Sequence, residues 1–284
     1  MLDKLIGTGY FSDVYNYGEG KAIKLMKAFV SFEDTLKEYE NLKAVREHYP
    51  WTPAVYGIET IGARHGIVMD KAPGLPISDL LIRCGGITMK RDIKMLADYQ
   101  ARLHSIQDET LIPYIELFNK CLKKVELPIS QKEFIQEYVN TLAHKSFMCH
   151  GDFHTDNMVI GKGRVTIVDW SSAYRGNPLS DAVNMQIIMR MPIEHHKLRF
   201  PVNVFAGISK RLILKIYYKE YCKLTGASMA DINSWLLPAA VIRLGEGVPN
   251  ECIASLFDMI ELECNRLGYS KKAEAVKEVI QCPL

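Results

Sequence analysis

Hydrophobic and polar positions alternate in short stretches along the first part of the chain, and helical spacing takes over afterwards. Leu2 to Gly7, Asp13 to Tyr17 and Lys21 to Met26 predict three strands, with Gly18-Glu19-Gly20 as the turn between the last two. Leu36, Tyr39, Leu42 and Val45 recur three apart and predict a helix over Phe32 to His48 with those side chains on its inner face. Pro50 and Pro53 close it, and Val55 to Ile61 and Gly66 to Met69 predict two further strands joined by Gly62-Ala63-Arg64-His65. Ala72-Pro73-Gly74-Leu75-Pro76 is expected to continue neither strand nor helix, and marks a boundary. Beyond it, Met89 to Ile106 predicts a long helix with Ile93, Leu96, Ala97 and Leu103 inward, and Gln131 to His144 a second. A strand-rich island, Met148 to Asp169, interrupts this pattern, and Asp181 to Ile280 is mostly helical. The expectation is an α+β chain in two lobes. Residues 1–72 form a small antiparallel sheet with one helix, and residues 73–284 a larger, mainly helical unit.

Composition narrows the class. The chain has 284 residues, 48% hydrophobic and 24% charged, enough apolar material for a sizeable core. Its net charge of +2 excludes a strongly basic nucleic-acid scaffold, so no nucleic-acid partner is expected. The longest apolar run, Trp235 to Ile242, is short and contains Pro238, so no membrane partner is expected either. Met1-Leu2-Asp3-Lys4-Leu5 does not read as a secretory leader. The seven cysteines are scattered without a C-x-x-C pair, which fits reduced thiols and a cytoplasmic location. A monomer or weak homodimer is expected.

Candidate chemistry begins at Gly7-Thr8-Gly9-Tyr10-Phe11-Ser12-Asp13-Val14-Tyr15, a G-x-G-x-x-G-like loop with Ser12 at the third glycine. A dinucleotide fold would place a helix directly after it, whereas Val14-Tyr15-Asn16-Tyr17 reads as strand. A glycine loop between two strands is the arrangement that drapes over nucleotide phosphates; the alternative is an ordinary hairpin turn. Strand alternation puts Ala22 and Lys24 on one face, offering a small residue beside a base and an ammonium for phosphates. The alternative for Lys24 is a solvated strand lysine. Glu38 shares a helix face with apolar residues and is the chosen partner for Lys24, while Glu40 is expected to face solvent.

The densest stretch is His150-Gly151-Asp152-Phe153-His154-Thr155-Asp156-Asn157, followed by Val165-Thr166-Ile167-Val168-Asp169-Trp170. A hairpin turning at Gly161-Lys162-Gly163-Arg164 would return Asp169 to the neighbourhood of Asn157. The side chains of Asp152, Asn157 and Asp169 would then converge, and such oxygen ligands suit Mg²⁺ bridging phosphates. Asp152 is left to orient an acceptor hydroxyl and receive its proton. His150 and His154, four apart, would suit a transition metal on a helix, but Gly151 argues for a loop. Turn capping explains one or two of these polar residues, but not their order along the chain.

These residues resemble the aminoglycoside phosphotransferase and choline kinase family, which has a protein-kinase-like fold. The resemblance is carried by His150 to Asn157, by Ile167-Val168-Asp169-Trp170, and by Gly176-Asn177-Pro178-Leu179-Ser180-Asp181, in which Asn177 replaces an Asp of the family pattern. Ala101-Arg102-Leu103-His104 matches the helix before the catalytic region. The resemblance implies Asp152 as catalytic base, Asn157 and Asp169 as Mg²⁺ ligands, and Lys24 on the phosphates with Glu38 as its partner. It further implies Gly7, Gly9, Ser12, Val14 and Ala22 around ATP or GTP, and Met69, Asp70, Lys71 and Ala72 as a hinge whose backbone meets the base. Asp181 would buttress the catalytic loop, and His150 would position it. The implied activity is transfer of a γ-phosphate to a hydroxyl of a metabolite or aminoglycoside-like acceptor. Protein kinases usually carry Arg where Gly151 stands and D-F-G where Asp169-Trp170-Ser171 stands, which disfavours a protein substrate. A catalytically silent nucleotide-binding module that regulates a partner is the other reading.

The resemblance further implies that the C-terminal helices shape the acceptor pocket. Arg243 and Glu246, three apart, either pair with each other, the favoured reading, or face the pocket. Asp231, Glu246, Glu251, Asp258, Glu261 and Glu263 are interleaved with Lys and Arg and give no strong acidic field for a polycation. Trp170, Tyr174 and Trp235 are candidates for an aromatic cage around a quaternary ammonium, or for core. His195-His196 is expected at the surface.

Overall fold

The computed structural model describes residues 3–191 and 202–269. His195-His196, the predicted strand start at Leu2 and the helical reading beyond residue 269 lie outside these residues. The N-terminal part is a five-stranded antiparallel sheet in the order β1-β2-β3-β5-β4. Its strands are β1 (Leu5–Thr8), β2 (Ser12–Asn16), β3 (Lys21–Met26), β4 (Val55–Ile61) and β5 (Arg64–Asp70). Directly opposed residues share a sheet face, so the pairs Val14↔Lys24, Asn16↔Ala22, Ala22↔Met69 and Lys24↔Ile67 define one inner face. Met26, Ile67 and Met69 on that face join the main core, whereas the buried Ile23 and Leu25 of the opposite face do not.

Helix α1 (Phe32–His48) crosses from β3 to β4. Ser31 caps it by accepting from Asp34 N, with Glu33 and Asp34 in the first turn and Arg46 and His48 in the last. The predicted inner face is rotated. Leu36 is 40% exposed, and the buried stripe is Thr35, Glu38, Asn41, Leu42 and Val45. Apolar spacing placed this stripe wrongly because three of its five members are polar, and two of those bond to the site described below.

After Asp70 the chain becomes mainly helical: α2 (Ile77–Arg83), α3 (Met89–Leu103), α4 (Tyr114–Lys124), α5 (Ile129–Thr141), α6 (Pro178–Ala182), α7 (Asn184–Arg190), α8 (Val202–Thr225), α9 (Met229–Asn233), α10 (Leu236–Glu246) and α11 (Asn250–Arg266). Two small sheets sit among them. One pairs β7 (Phe147–Cys149) with β10 (Tyr174–Gly176); the other runs β6 (Leu75–Pro76), β8 (Met158–Gly161), β9 (Arg164–Ile167). The boundary segment therefore does contain a strand. Leu75-Pro76 adds to the free edge of β8, where a proline is tolerated because its missing N–H faces away from the ladder. Gly74 makes this possible: at φ +124 a Cβ there would lie 2.1 Å from Ile160 O.

The sheet and the helices share one continuous core, running from Met26, Leu42 and Ile67 through Leu96, Leu103 and Met148 to Tyr217 and Val241. Tyr49 stands at the junction, its ring edge-on to Trp51 and Trp170 and its hydroxyl bonded to Tyr99 O. Among the described residues no helix is long and apolar enough to cross a membrane, and the six described cysteines are unpaired.

Candidate active site

The candidate catalytic loop lies between β7 and β8, and its shape is set from beneath. Asp181, fully buried in α6, accepts from His150 N (3.0 Å), Gly151 N (2.8 Å), His104 Nε2 (2.9 Å), Gln100 Nε2 (3.1 Å) and, more weakly, Asn184 Nδ2 (3.4 Å). Burial alone would raise this carboxyl; hydrogen bonding and charge from His104 outweigh it, so its pKa lies below the usual carboxylate range. Gly151 takes φ +82, and a Cβ there would meet Ser172 O at 2.1 Å, so this position admits only glycine.

His150 bridges the loop to the strand that follows the hairpin. Its Nε2 bonds Val168 O (3.0 Å), while its Nδ1 accepts from Asp152 N (3.2 Å). Burial lowers its pKa and favours the neutral ring. Val168 N in turn donates to Asn157 O at 2.9 Å. The strand after the hairpin is thereby fastened to the catalytic loop at both sides, and Asp169 follows at φ +66, a left-handed conformation that a non-glycine residue rarely adopts. The hairpin itself turns through Lys162 (φ 51) and Gly163 (φ 71), the two consecutive positive values of a tight type I′ turn.

Lys24 links the sheet to this loop. Its Nζ lies 2.6 Å from Glu38 Oε1 and 2.7 Å from Asp169 Oδ1. Burial opposes its charge, but Asp169 and then Glu38 more than offset that, so the ammonium stays protonated. Asp169 is held below the usual range by Lys24 despite burial, while burial raises Glu38. Glu40 is exposed and pairs with Lys43 at 3.2 Å.

Asp152 is flanked on two sides. Arg243 Nη2 lies 2.7 Å from its Oδ1; Asn157 Nδ2 (3.3 Å) and His154 Nε2 (3.5 Å) approach Oδ2. Burial would raise this carboxyl, yet Arg243 and then His154 hold it well below the usual range, and the Asp152 charge raises His154. Asn157 Nδ2 also donates to Asp152 O at 2.9 Å.

The donor set fits a hard divalent cation. Among the described residues, with Nδ2 of Asn157 turned to Asp152, its Oδ1 has no protein partner, and Asp169 Oδ2 likewise has none, since Lys24 and Ser171 bond to Oδ1. One amide and one carboxylate oxygen leave the remaining positions for water and phosphate, as Mg²⁺ prefers.

The glycine loop is a turn closed by Gly9 N to Ser12 O at 2.8 Å. Gly7 and Gly9 are not at positive φ, and a Cβ at either would make only ordinary contacts, so the fold does not demand glycine there. Gly7 and Val14 are opposed, and Val14 lies opposite Lys24 on the inner face; Ser12 is buried at the start of β2. In the hinge, Asp70 N and Lys71 N donate to Ala54 O and Gly20 O, and the Asp70 carboxylate accepts from Ala54 N and Tyr56 Oη. The N–H groups of Asp70 and Lys71 are thus used inside the protein, whereas Ala72 N carries no such bond among the described residues.

Two residues were missed by sequence reasoning. Asn41, one helical turn after Glu38, donates to Trp170 O at 3.0 Å and so pins the chain just past Asp169. The spacing of Thr35, Glu38 and Asn41 was the available signal. Asn41→Leu is expected to lower stability by about 1–3 kcal/mol, the cost of an unpaired buried carbonyl, read as a shift in urea midpoint at unchanged slope. The second is Arg243 as a neighbour of Asp152. The favoured Arg243–Glu246 pair does not form: Glu246 accepts from Ser172 Oγ (3.3 Å), and Arg243 turns to Asp152 because α10 presents its last turn to the catalytic loop.

Trp170, Tyr174 and Trp235 are at most 2% exposed, and they are core rather than cage. Of the late acids, Asp231 closes a capping box with Ser228 and Glu263 pairs with Arg266. A wide concavity of about 750 Å³ lies elsewhere, on the outer face of the sheet. Lys21 already sits 4.1 Å over the Tyr56 ring there, and Tyr17 bonds Glu59, so its polar groups satisfy one another.

A sheet over a mainly helical part, joined by a lysine–glutamate–aspartate cluster, is the kinase-like arrangement, and solved structures agree. The streptomycin–ATP–APH(2'')-IIa ternary complex superposes with a TM-score of 0.57 at 14% identity, covering 92% of each chain. A type VIII aminoglycoside-3'-phosphotransferase gives 0.56 at 15% identity, covering 87% of this chain and 92% of that one. The choline kinase of Cryptosporidium parvum Iowa II gives 0.54 at 11% identity, covering 98% and 90%. No curated relative matches the sequence. Residues 13–196 match the phosphotransferase enzyme family (APH), and the chain belongs to that family.

Proposed function

We propose that the protein is a small-molecule kinase that transfers the γ-phosphate of ATP or GTP to an alcohol. The observation that carries this reading is the convergence of Lys24, Glu38 and Asp169 in one ion cluster next to a loop that presents Asp152 and Asn157. The ammonium of Lys24 is held at the inner sheet face by two carboxylates and would meet the phosphates there. Ala22, Val14 and Met69 lie on the same sheet face, where a purine would pack, with Ala72 N as a hinge donor that has no backbone partner among the described residues. Asn157 Oδ1 and Asp169 Oδ2 would hold Mg²⁺, which when bound neutralises charge on the phosphates.

Asp152 positions the acceptor. The hydroxyl oxygen forms a bond to the γ-phosphorus, the bond from that phosphorus to the β-bridging oxygen breaks, and the nucleoside diphosphate leaves with the electron pair. The hydroxyl proton passes to the Asp152 carboxylate and then to solvent. A carboxylate below its usual pKa is a weak base, but a loose transition state demands placement of the hydroxyl more than basicity.

The test is Mg²⁺-dependent release of ADP or GDP against a panel of aminoglycosides, choline, ethanolamine, homoserine, thiamine and small sugars. Stimulation by one acceptor with tight Mg²⁺–nucleotide binding supports the reading. Nucleotide binding without any transfer would favour the silent regulatory module instead.

A further inference from the structure

Resting on the phosphotransferase reading, we propose that Arg243 recognises the acceptor, and that the acceptor is an alcohol carrying an anionic oxygen group a few bonds from its reacting hydroxyl. Arg243 stands at the last turn of α10 with its Nη2 2.7 Å from Asp152 Oδ1 and its side chain 22% exposed. A guanidinium has five N–H donors in a planar fork. Only this one contact engages Arg243 among the described residues, so the rest of the fork is open to a ligand beside the candidate base. Its helix neighbour Glu246 bonds Ser172 and forms no ion pair with it, so Asp152 is its ion-pair partner among the described residues.

The placement is rigid. α10 is buried along Leu236 to Ile242, and Gly245 packs so closely on α4 that a Cβ would lie 2.5 Å from Cys121 Cβ. The guanidinium is therefore presented by the scaffold, not by a mobile loop. Orientation of Asp152 does not require it, because Asn157 and His154 already approach the other carboxylate oxygen. A planar fork with spare donors is suited to a carboxylate or phosphate, which it binds in two-point fashion. An alcohol whose anionic group reaches the fork has its hydroxyl delivered to Asp152, since both belong to one cluster. A polycation would instead bring ammonium groups against the Arg243 guanidinium itself, whose charge Asp152, Glu246 and Asp169 already oppose.

Two measurements decide it. Calorimetric titration of the full chain, loaded with Mg²⁺ and ADP, uses a matched set: glycerate, glycerol 3-phosphate, glycerol and kanamycin. Binding of either anionic member, weakened about 30-fold or more by Arg243→Gln and largely restored in Arg243→Lys, is expected; glycerol and kanamycin should bind weakly or not at all. The two anionic arms separate a carboxylate from a phosphate preference. Kinetics with ATP on the same set should show the Arg243→Gln defect chiefly in KM for the anionic alcohol. The inference is overturned if neither anion binds in an Arg243-dependent way, if kanamycin or glycerol is the better ligand, or if Arg243→Gln lowers kcat equally for every acceptor. That last outcome would make Arg243 only a positioning residue for Asp152. Failure of the kinase reading is distinguishable: it would appear as absent Mg²⁺–ADP binding, whereas the anion titration can be repeated without nucleotide.

Discussion

Asp152→Asn should lower kcat by about 10²–10⁴-fold while leaving Mg²⁺–nucleotide affinity within about threefold. The separation follows from where the groups sit. The proposed nucleotide side is Lys24, Glu38 and Asp169, whose ion contacts at 2.6 and 2.7 Å do not involve Asp152. The acceptor side depends on one carboxylate, which Arg243 and His154 keep ionised by lowering its pKa against the pull of burial. Asparagine preserves the shape and the bond from Asn157 Nδ2, so the loop should keep its course. It cannot accept the hydroxyl proton, and it leaves the Arg243 guanidinium without its counter-charge. ADP release with a competent acceptor gives kcat, and calorimetry gives the affinity. A variant that keeps more than a tenth of wild-type kcat would remove Asp152 from its proposed role. A variant that loses nucleotide binding in parallel would show that the two halves of the site are not separable in this way.

The elements of the N-terminal sheet were legible because alternation in Lys21–Met26 and Val55–Ile61 is local, and because glycines punctuate the turns. The kinase-like α+β fold followed from the family resemblance carried by residues 150–181, and the solved structures support it. What failed to show was long-range. Leu42, Val45 and the inward Glu38 of α1 were read rightly, but Leu36 was misplaced and Asn41 missed because the rest of the buried side is polar: Glu38 and Asn41 are satisfied by Lys24 and Trp170 O, 14 and 129 residues away in sequence. A hydrophobic periodicity has no means of registering a helix face whose partners are a lysine and a carbonyl. The short strand Leu75-Pro76 was hidden for the same reason, since its existence depends on β8 having a free edge and on Gly74 lying against Ile160 O. Helices α2 and α4 carry proline N-caps and short apolar faces that local spacing did not single out. The Arg243–Asp152 pair spans 91 positions of sequence by subtraction of their numbers, and an i, i+3 rule offered Glu246 as a nearer partner. In each case the local rule lost to a charged or hydrogen-bonded contact formed only after the chain had closed on itself.

Asp181→Asn is expected to be the most damaging change outside the reacting groups, lowering stability by about 3 kcal/mol or more and reducing transfer in step. Asp181 Oδ2 accepts from Gln100, His104 and His150 N, and Oδ1 accepts from Gly151 N and Asn184. An amide nitrogen in place of either oxygen sets a donor against donors at a fully buried position. The loop loses the anchor that holds His150 and Gly151, and Gly151 has no slack because Ser172 O already crowds it. The effect has a pH signature. The folded pKa of Asp181 is lowered, with His104 and the loop N–H groups overcoming burial, so the folded state binds this proton less readily than the unfolded chain. The stabilisation is fully present above the unfolded carboxylate value of about 3.9 and is lost as pH falls through the lower folded value. Urea midpoints of wild type and Asp181→Asn should therefore differ most at neutral pH and converge below about pH 4. A gap that stays constant down to strongly acid pH would mean that Asp181 stabilises the loop through shape alone, and that its charge contributes nothing to holding the candidate base in place.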